Sequence, residues 1–266
     1  MMKKYLVIGN PIEHSLSPKL HNHWLKENNI DGIYDKKKID QKDLENIISE
    51  VKKEKLHGIN VTVPYKKEII PFLDELSPEA KETQSVNTIY LQNGTTIGHN
   101  TDIAGFELAI KYAKYDISNK KIFILGAGGV APSIIYSLKK MKASKIILSN
   151  RTKEKAESLK VLFRDIEIVD WGNNPDFDMI INATSIGLNN EDEIKIDFSS
   201  VGPNKFFYDV IYNPRETIFL KKAKFLGNKV ENGKMMFIYQ AHQSFTLWHK
   251  KMPKIDDETI ELLDWW

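Results

Sequence analysis

The stretch "KIFILGAGGVA" spans residues 121–131, and four apolar residues in it run straight into a cluster of glycines. The segment that follows, "APSIIYSLKKM", has helical apolar spacing. Strand, glycine turn and helix in this order are what a dinucleotide fingerprint requires. Glycines let the backbone approach a pyrophosphate, and a helix N-terminus offers free N–H groups and partial positive charge. Gly126, Ala127, Gly128, Gly129 and Val130 are therefore candidate cofactor contacts. An ordinary strand–turn–helix junction would use glycines too. A second strand in register, "KIILSNR", favours the nucleotide.

That second strand ends about 24 residues after Gly126, close to where an NAD enzyme places an acid on the ribose 2′-hydroxyl. The positions hold Asn150, Arg151 and Thr152, with Lys153 and Lys155 behind. A carboxylate would repel a 2′-phosphate, whereas a guanidinium binds one through paired hydrogen bonds. NADP is favoured over NAD, against the plainer reading of a solvated helix start.

Outward from this core, strands and helices alternate. "KYLVIGNP" reads as a strand and "SPKLHNHWLKENN" as an amphipathic helix with Pro18 in its first turn. "DGIYDKKKI" is a second strand, "QKDLENIISEVKKE" a helix, and "LHGINVTVP" a strand ended by Pro64. "SVNTIYLQNGTTIGHNTD" predicts a hairpin turning at Asn93 and Gly94. Beyond the glycine loop, "KEKAESLKVLF" is a helix, and "IEIVD", "FDMIINATS", "FFYDVIYN" and "NKVENG" are strands. In this second stretch such alternation implies a parallel sheet built from βαβ units. The closing segment "MFIYQAHQSFTLWHKK" has helical spacing and is expected to pack back on the N-terminal region. The expected architecture is α/β with two domains. Residues 1–101, completed by a C-terminal helix over 238–266, form an α/β substrate domain, and residues 102–237 form a Rossmann-like dinucleotide domain.

Composition excludes several classes. Of 266 residues 41% are hydrophobic and 28% charged, and 38 basic against 36 acidic side chains leave a net charge of +2. That balance gives no electrostatic case for nucleic acid or an anionic membrane. The absence of cysteine rules out disulfides, cysteine-ligated zinc and a thiol nucleophile. The N-terminal apolar run is too short for a signal peptide, and no run approaches the roughly 18 apolar residues of a membrane span. A cytoplasmic enzyme is expected. Histidines such as His14, His21 and His23 show no metal spacing, so no metal is expected.

Several short motifs carry chemistry only in combination. Ser15 and Ser17 before a helix suit a carboxylate but also an ordinary cap. Lys66, in "NVTVPYKK", is either a catalytic ammonium or a helix-start lysine. Asp102, in "GHNTDIAG", is either its partner or an N-cap.

Together, "SLSPKLHN", "GINVTVPYK", "SVNTI", "GHNTD", "GAGGVA", "NRT", "NATSIG", "DVIYNP" and "GKMMFIYQA", in this order, closely resemble the shikimate dehydrogenase family over nearly the whole chain. The resemblance implies an NADP(H)-dependent oxidoreductase of aromatic amino-acid biosynthesis that interconverts 3-dehydroshikimate and shikimate, as a monomer or homodimer. It implies that Ser15 and Ser17 hold the substrate carboxylate, with Tyr212 assisting. Thr62, Asn87 and Gln240 would bind the ring hydroxyls, with Asn60 lining the pocket. Lys66 and Asp102 would be the catalytic pair. Gly126 to Val130 would take the pyrophosphate and Asn150 to Lys155, Glu154 included, the ribose phosphate. Val210 and Gly233 would flank the nicotinamide. Pro78 departs from the acidic residue that some members carry near the cofactor, and the resemblance assigns nothing to "ELLDWW" at the end. An NAD-using quinate/shikimate dehydrogenase and a non-catalytic NADP- or metabolite-binding regulator are the alternatives.

Overall fold

Buried apolar strands flanked by amphipathic helices build the chain twice over, in two compact units: residues 1–105 with 238–266, and residues 106–237. The computed structural model describes residues 2–189 and 191–264. The tryptophan pair of the closing "ELLDWW" lies outside them.

The first unit opens with β1 (Lys3–Gly9), α1 (Ser17–Glu27), β2 (Gly32–Lys38), α2 (Leu44–Lys52) and β3 (Gly58–Val61). It continues with β4 (Glu75–Leu76), α3 (Pro78–Thr83), β5 (Thr88–Gln92), β6 (Thr95–His99) and α4 (Thr101–Tyr112), whose last turns enter the second unit. The sheet order is β2-β1-β3-β5-β6-β4. β1, β2 and β3 run parallel, whereas β5 is antiparallel to both β3 and β6, so the sheet is mixed. The reason is the hairpin. Asn93 and Gly94 both adopt positive φ, 53° and 77°, the two-residue turn whose twist matches paired strands and which forces antiparallel neighbours. The core beneath gathers Ile8, Leu44, Ile48, Val51, Ile59 and Ile89.

At the free edge of β2, the Asn22 carboxamide of α1 bonds both backbone groups of Tyr34: Tyr34 N–H donates to Asn22 Oδ1 at 2.9 Å, and Asn22 Nδ2 donates to the Tyr34 carbonyl at 2.7 Å. The Lys36 N–H is taken by Asp35 Oδ1 at 2.7 Å.

The second unit holds β7 (Lys121–Leu125), α5 (Ala131–Lys140), β8 (Lys145–Ser149), α6 (Lys153–Leu162), β9 (Ile166–Val169) and β10 (Met179–Asn182). After these come β11 (Phe206–Asp209), α7 (Ile218–Phe225), β12 (Lys229–Glu231) and α8 (Lys234–His249). Its sheet, β12-β11-β10-β7-β8-β9, is parallel throughout. From β7 the chain winds out to β9, then returns to β10 on the other side. The β7/β10 junction is thus the switch point where open α/β sheets bind ligands. Phe123, Leu125, Phe177, Ile180 and Phe207 fill its core.

The closing segment corrects one expectation and fulfils another. It is not one helix over 238–266: α8 ends at His249, and a short α9 (Asp257–Glu261) follows a break. From Ile238 on it does pack with the N-terminal residues. Trp248 Nε1 donates to the Ile89 carbonyl at 3.1 Å, and Phe245 packs on Trp24 with ring centroids 5.7 Å apart. Among the described residues no helix is long and apolar enough to cross a membrane.

Candidate active site

In the first unit, Lys66 follows β3 through Thr62, Val63 and a cis-linked Pro64. Alternation of Val61 and Val63 predicts a longer strand, but β3 stops at Val61 and Val63 is 54% exposed. The turn is fixed from outside: Thr62 N–H donates to the Ile8 carbonyl at 2.9 Å and Val86 N–H to the Lys66 carbonyl at 2.8 Å. Lys66 therefore stands in an anchored turn and not at the start of a helix. Asp102 is the second residue of α4, and the capping contact comes from Asn100, whose Oδ1 accepts its N–H at 3.2 Å. The Asp102 carboxylate is left for other partners.

Lys66 Nζ lies 2.5 Å from Asp102 Oδ2, with the two side chains only 11% and 8% exposed. A buried ion pair offsets its desolvation only where the remaining lone pairs are met. Asn87 meets them, donating from Nδ2 to Asp102 Oδ1 at 2.9 Å and to Thr101 Oγ1 at 2.9 Å while its Oδ1 accepts the Thr101 N–H at 2.7 Å. Both amide protons of Asn87 are thereby taken, so its first effect is to hold Asp102.

Asn60, the next polar residue inward, is buried and also fully engaged. Its Nδ2 lies within hydrogen-bond distance of the Asn87 carbonyl (3.0 Å), Thr88 Oγ1 (3.0 Å) and Ser244 Oγ (2.9 Å). Its Oδ1 accepts the Tyr34 hydroxyl at 2.7 Å. Burial pushes the Tyr34 phenol well above the usual tyrosine range, which keeps it a donor. Ser17 is not the expected N-cap. Leu16 holds that position with no side-chain cap, and Ser15 Oγ accepts the Ser17 N–H at 3.3 Å. Gln240 is half-buried on α8, and its backbone carbonyl accepts the Ser244 hydroxyl at 3.1 Å. The structure thus links Lys66, Asp102, Asn87 and Asn60 through continuous hydrogen bonds, with Ser244 one bond beyond and the backbone carbonyl of Gln240 one further.

In the second unit, Gly126 follows β7 with φ 104° and donates its N–H to the Ser149 carbonyl at 2.8 Å. A Cβ there would lie 2.8 Å from the Ala183 carbonyl oxygen, at the end of β10, so only glycine fits the switch point. Gly128 and Gly129 are exposed, and a Cβ on Gly128 would meet nothing nearer than 3.9 Å. Backbone is therefore open to a ligand just before α5, beside Ala127 and Val130. Asn150 braces this loop: its Oδ1 accepts the Ala127 N–H at 2.9 Å and its Nδ2 donates to the Thr152 carbonyl at 2.7 Å. Arg151, Lys153, Glu154 and Lys155 are exposed around the start of α6, and Lys153 is paired with Asp170 at 3.1 Å.

At the ends of β11 and β12, Val210 and Gly233 come together so closely that a Cβ on Gly233 would sit 2.0 Å from the Val210 carbonyl oxygen. Tyr212 follows, stacked on Phe237 with ring centroids 4.5 Å apart. Tyr212 belongs to the second unit, whereas Ser15 and Ser17 belong to the first. Beneath it, Asp209 accepts from Thr217 Oγ1 at 2.7 Å, from Asn182 Nδ2 at 3.0 Å and from the Ile211 N–H at 3.0 Å. Burial nevertheless raises its carboxyl to about 6.

The family model described as the shikimate dehydrogenase substrate binding domain matches residues 7–89, and that of shikimate / quinate 5-dehydrogenase matches residues 107–190. The chain is 59% identical over 264 residues to the shikimate dehydrogenase (NADP(+)) of Pelagibacter ubique, covering 99% of this chain and 100% of that one. The chain belongs to the shikimate dehydrogenase family. A shikimate dehydrogenase crystallised with NADP+ superposes with a TM-score of 0.91 at 34% identity, covering 98% of this chain and 93% of the other. The Thermus thermophilus shikimate 5-dehydrogenase, crystallised with NADP(H) and shikimate, gives 0.90 at 29% identity and 99% coverage of both chains.

Tyr34, Thr88, Thr101 and Ser244 escaped the sequence reading. Thr101 stands inside the "GHNTD" motif, where its hydroxyl next to Asp102 was a usable signal. Tyr34, in a strand of lysines, gave none.

Proposed function

We propose that the protein catalyses 3-dehydroshikimate + NADPH + H⁺ ⇌ shikimate + NADP⁺, a step of aromatic amino-acid biosynthesis. The observation that carries the reading is the near-buried contact of Lys66 with Asp102, itself held by Asn87. As the ketone is reduced, negative charge develops on its oxygen. Lys66 Nζ stabilises that charge and donates the proton; in the reverse direction the neutral amine accepts it. Asp102 orients the ammonium and accepts a hydrogen bond from the neighbouring substrate hydroxyl. Thr62 and Gln240 bind ring hydroxyls with Asn87 and Asn60 behind them, and Ser15 and Ser17 take the carboxylate.

The residues present suit NADP(H). The open backbone at Gly128 and Gly129 admits a pyrophosphate at the start of α5, and Arg151 offers a guanidinium to a 2′-phosphate. Gly126 to Val130 and Asn150 to Lys155 would hold the cofactor's phosphates, with Val210 and Gly233 beside its nicotinamide. When bound, the cofactor supplies or takes the hydride.

Absorbance at the nicotinamide band, with shikimate and quinate each offered NADP+ and NAD+, tests the assignment. Fast reduction is expected only for shikimate with NADP+. Comparable rates with quinate and NAD+ would move the protein to the quinate-using branch, and no reduction at all would leave a non-catalytic binder.

A further inference from the structure

Three hydroxyls meet in the interior of the first unit. Thr88 Oγ1 lies 3.1 Å from Thr101 Oγ1 and 2.8 Å from Ser244 Oγ, and the other two are 3.2 Å apart. All three residues are fully buried. Thr88 and Thr101 adjoin Asn87 and Asp102 in the sequence, whereas Ser244 comes from α8. Ser244 Oγ also stands 2.9 Å from Asn60 Nδ2 and 3.1 Å from the Gln240 carbonyl. One hydroxyl thereby ties α8 to β3, β5 and α4. With one proton and two lone pairs, it has nothing left for a ligand. Its effect on the site must pass through what it holds. Gln240 lies one turn before it on the same face of α8 and is half-buried. Ile238, Ala241 and Phe245 are fully buried and keep α8 in place, but apolar burial is non-directional and sets the rotation of a helix only loosely. A binding side chain has to be held to about 0.5 Å, which directed hydrogen bonds to a rigid sheet supply.

We propose that Ser244 is a positioning residue whose hydroxyl pins α8 to Asn60, Thr88 and Thr101 and so fixes Gln240 where it binds a substrate ring hydroxyl. The catalytic pair has separate support, because Asn87 holds Asp102 while its own Oδ1 is anchored by the Thr101 N–H. Loss of the Ser244 hydroxyl therefore loosens binding and spares the chemical step. It also leaves Asn60 Nδ2 two acceptors, the Asn87 carbonyl and Thr88 Oγ1, so Ser244→Ala strands no buried amide proton. The inference rests on the reading that Gln240 binds the substrate.

The test compares wild type, Ser244→Ala, Gln240→Ala and the double variant in shikimate oxidation with NADP+. Oxidation by wild type, with a raised KM for shikimate in Gln240→Ala, secures the underlying reading on its own. No oxidation by wild type, or an unchanged KM in Gln240→Ala, would remove that reading and the proposal with it. Ser244→Ala should raise the KM for shikimate about tenfold, the size of one lost hydrogen bond. Its kcat should stay within a factor of about three and its KM for NADP+ should not change. In the Gln240→Ala background the Ser244→Ala change should add nothing further, because the serine acts through that glutamine. Thr246 supplies the control: among the described residues its hydroxyl bonds only the His242 carbonyl of the same helix, at 2.8 Å, so Thr246→Val should leave the KM for shikimate unchanged. An unchanged KM in Ser244→Ala would overturn the proposal, as would an undiminished effect in the Gln240→Ala background. So would an equal rise in Thr246→Val, or a fall in activity that tracks the folded fraction measured by circular dichroism.

Discussion

His21 lies face to face with Tyr34 in the interior of the first unit, and burial, with His249 nearby, lowers its imidazole to about 3. The folded chain keeps His21 neutral, whereas the unfolded chain protonates it near pH 6.5. The stability this carries is complete above pH 6.5 and is lost as pH falls toward 3, amounting to about 3 kcal/mol between pH 6.5 and 4. His21→Phe keeps the stack and removes the titration. Its unfolding free energy, measured in urea at pH 7, 5.5 and 4, should fall less steeply than that of wild type; parallel slopes would show that His21 is not the acid-sensitive group.

Lys66→Ala should lower turnover by roughly 10²–10⁴-fold, the usual size of a general acid–base contribution. The affinity for shikimate should change much less, because the ammonium acts mainly as charge develops. The variant also strands the Asp102 carboxylate, a loss of about 3 kcal/mol for a buried pair deprived of one partner. Turnover is therefore to be normalised to folded protein. Retention within a few-fold would reduce Lys66 to an anchor of its turn.

Ser15→Ala should raise the KM for shikimate more than it lowers kcat, since the carboxylate is remote from the reacting carbon. An uncharged analogue lacking the carboxylate should be nearly indifferent. Because Ser15 Oγ accepts the Ser17 N–H, a stability loss of about 1 kcal/mol is expected as well. Equal losses on both substrates would mean that this local bond is its whole contribution.

Arg151→Ala should weaken NADP+ by roughly 10–100-fold and leave NAD+ nearly unchanged. Lys153 is tied to Asp170, so Lys155 is the cation better placed to soften the effect. Titrating both cofactors decides it: parallel losses would show that Arg151 supports the fold and does not read the phosphate.

What could be read from the sequence was whatever local chemistry determines. Gly126 and the apolar run before it announced a strand, a turn and a helix because an apolar run ending in glycines is local chemistry. Asn93 and Gly94 announced the hairpin because few residue pairs accept positive φ in succession. Val63 misled because its alternation with Val61 is blind to the turn that Ile8 and Val86 impose from neighbouring segments. Ser17 misled because a serine before proline looks like a cap wherever the helix begins one residue earlier. Asn60 with Ser244, separated by 184 positions, and Tyr34 with Asn60 meet only through the sheet and α8. No window along the chain contains both partners.

The carboxamide of Asn22 behaves as a strand one residue long. It fills both hydrogen-bonding positions that Tyr34 turns outward from the edge of β2, while Asp35 covers the next N–H and Lys36, Lys37 and Lys38 ring the remainder with charge. A second extended chain arriving at that edge would find no donor at either position and a row of ammonium groups beyond. The first sheet is thereby closed to growth on this side, so the side chain that steadies Tyr34 also guards the protein against strand-to-strand self-association.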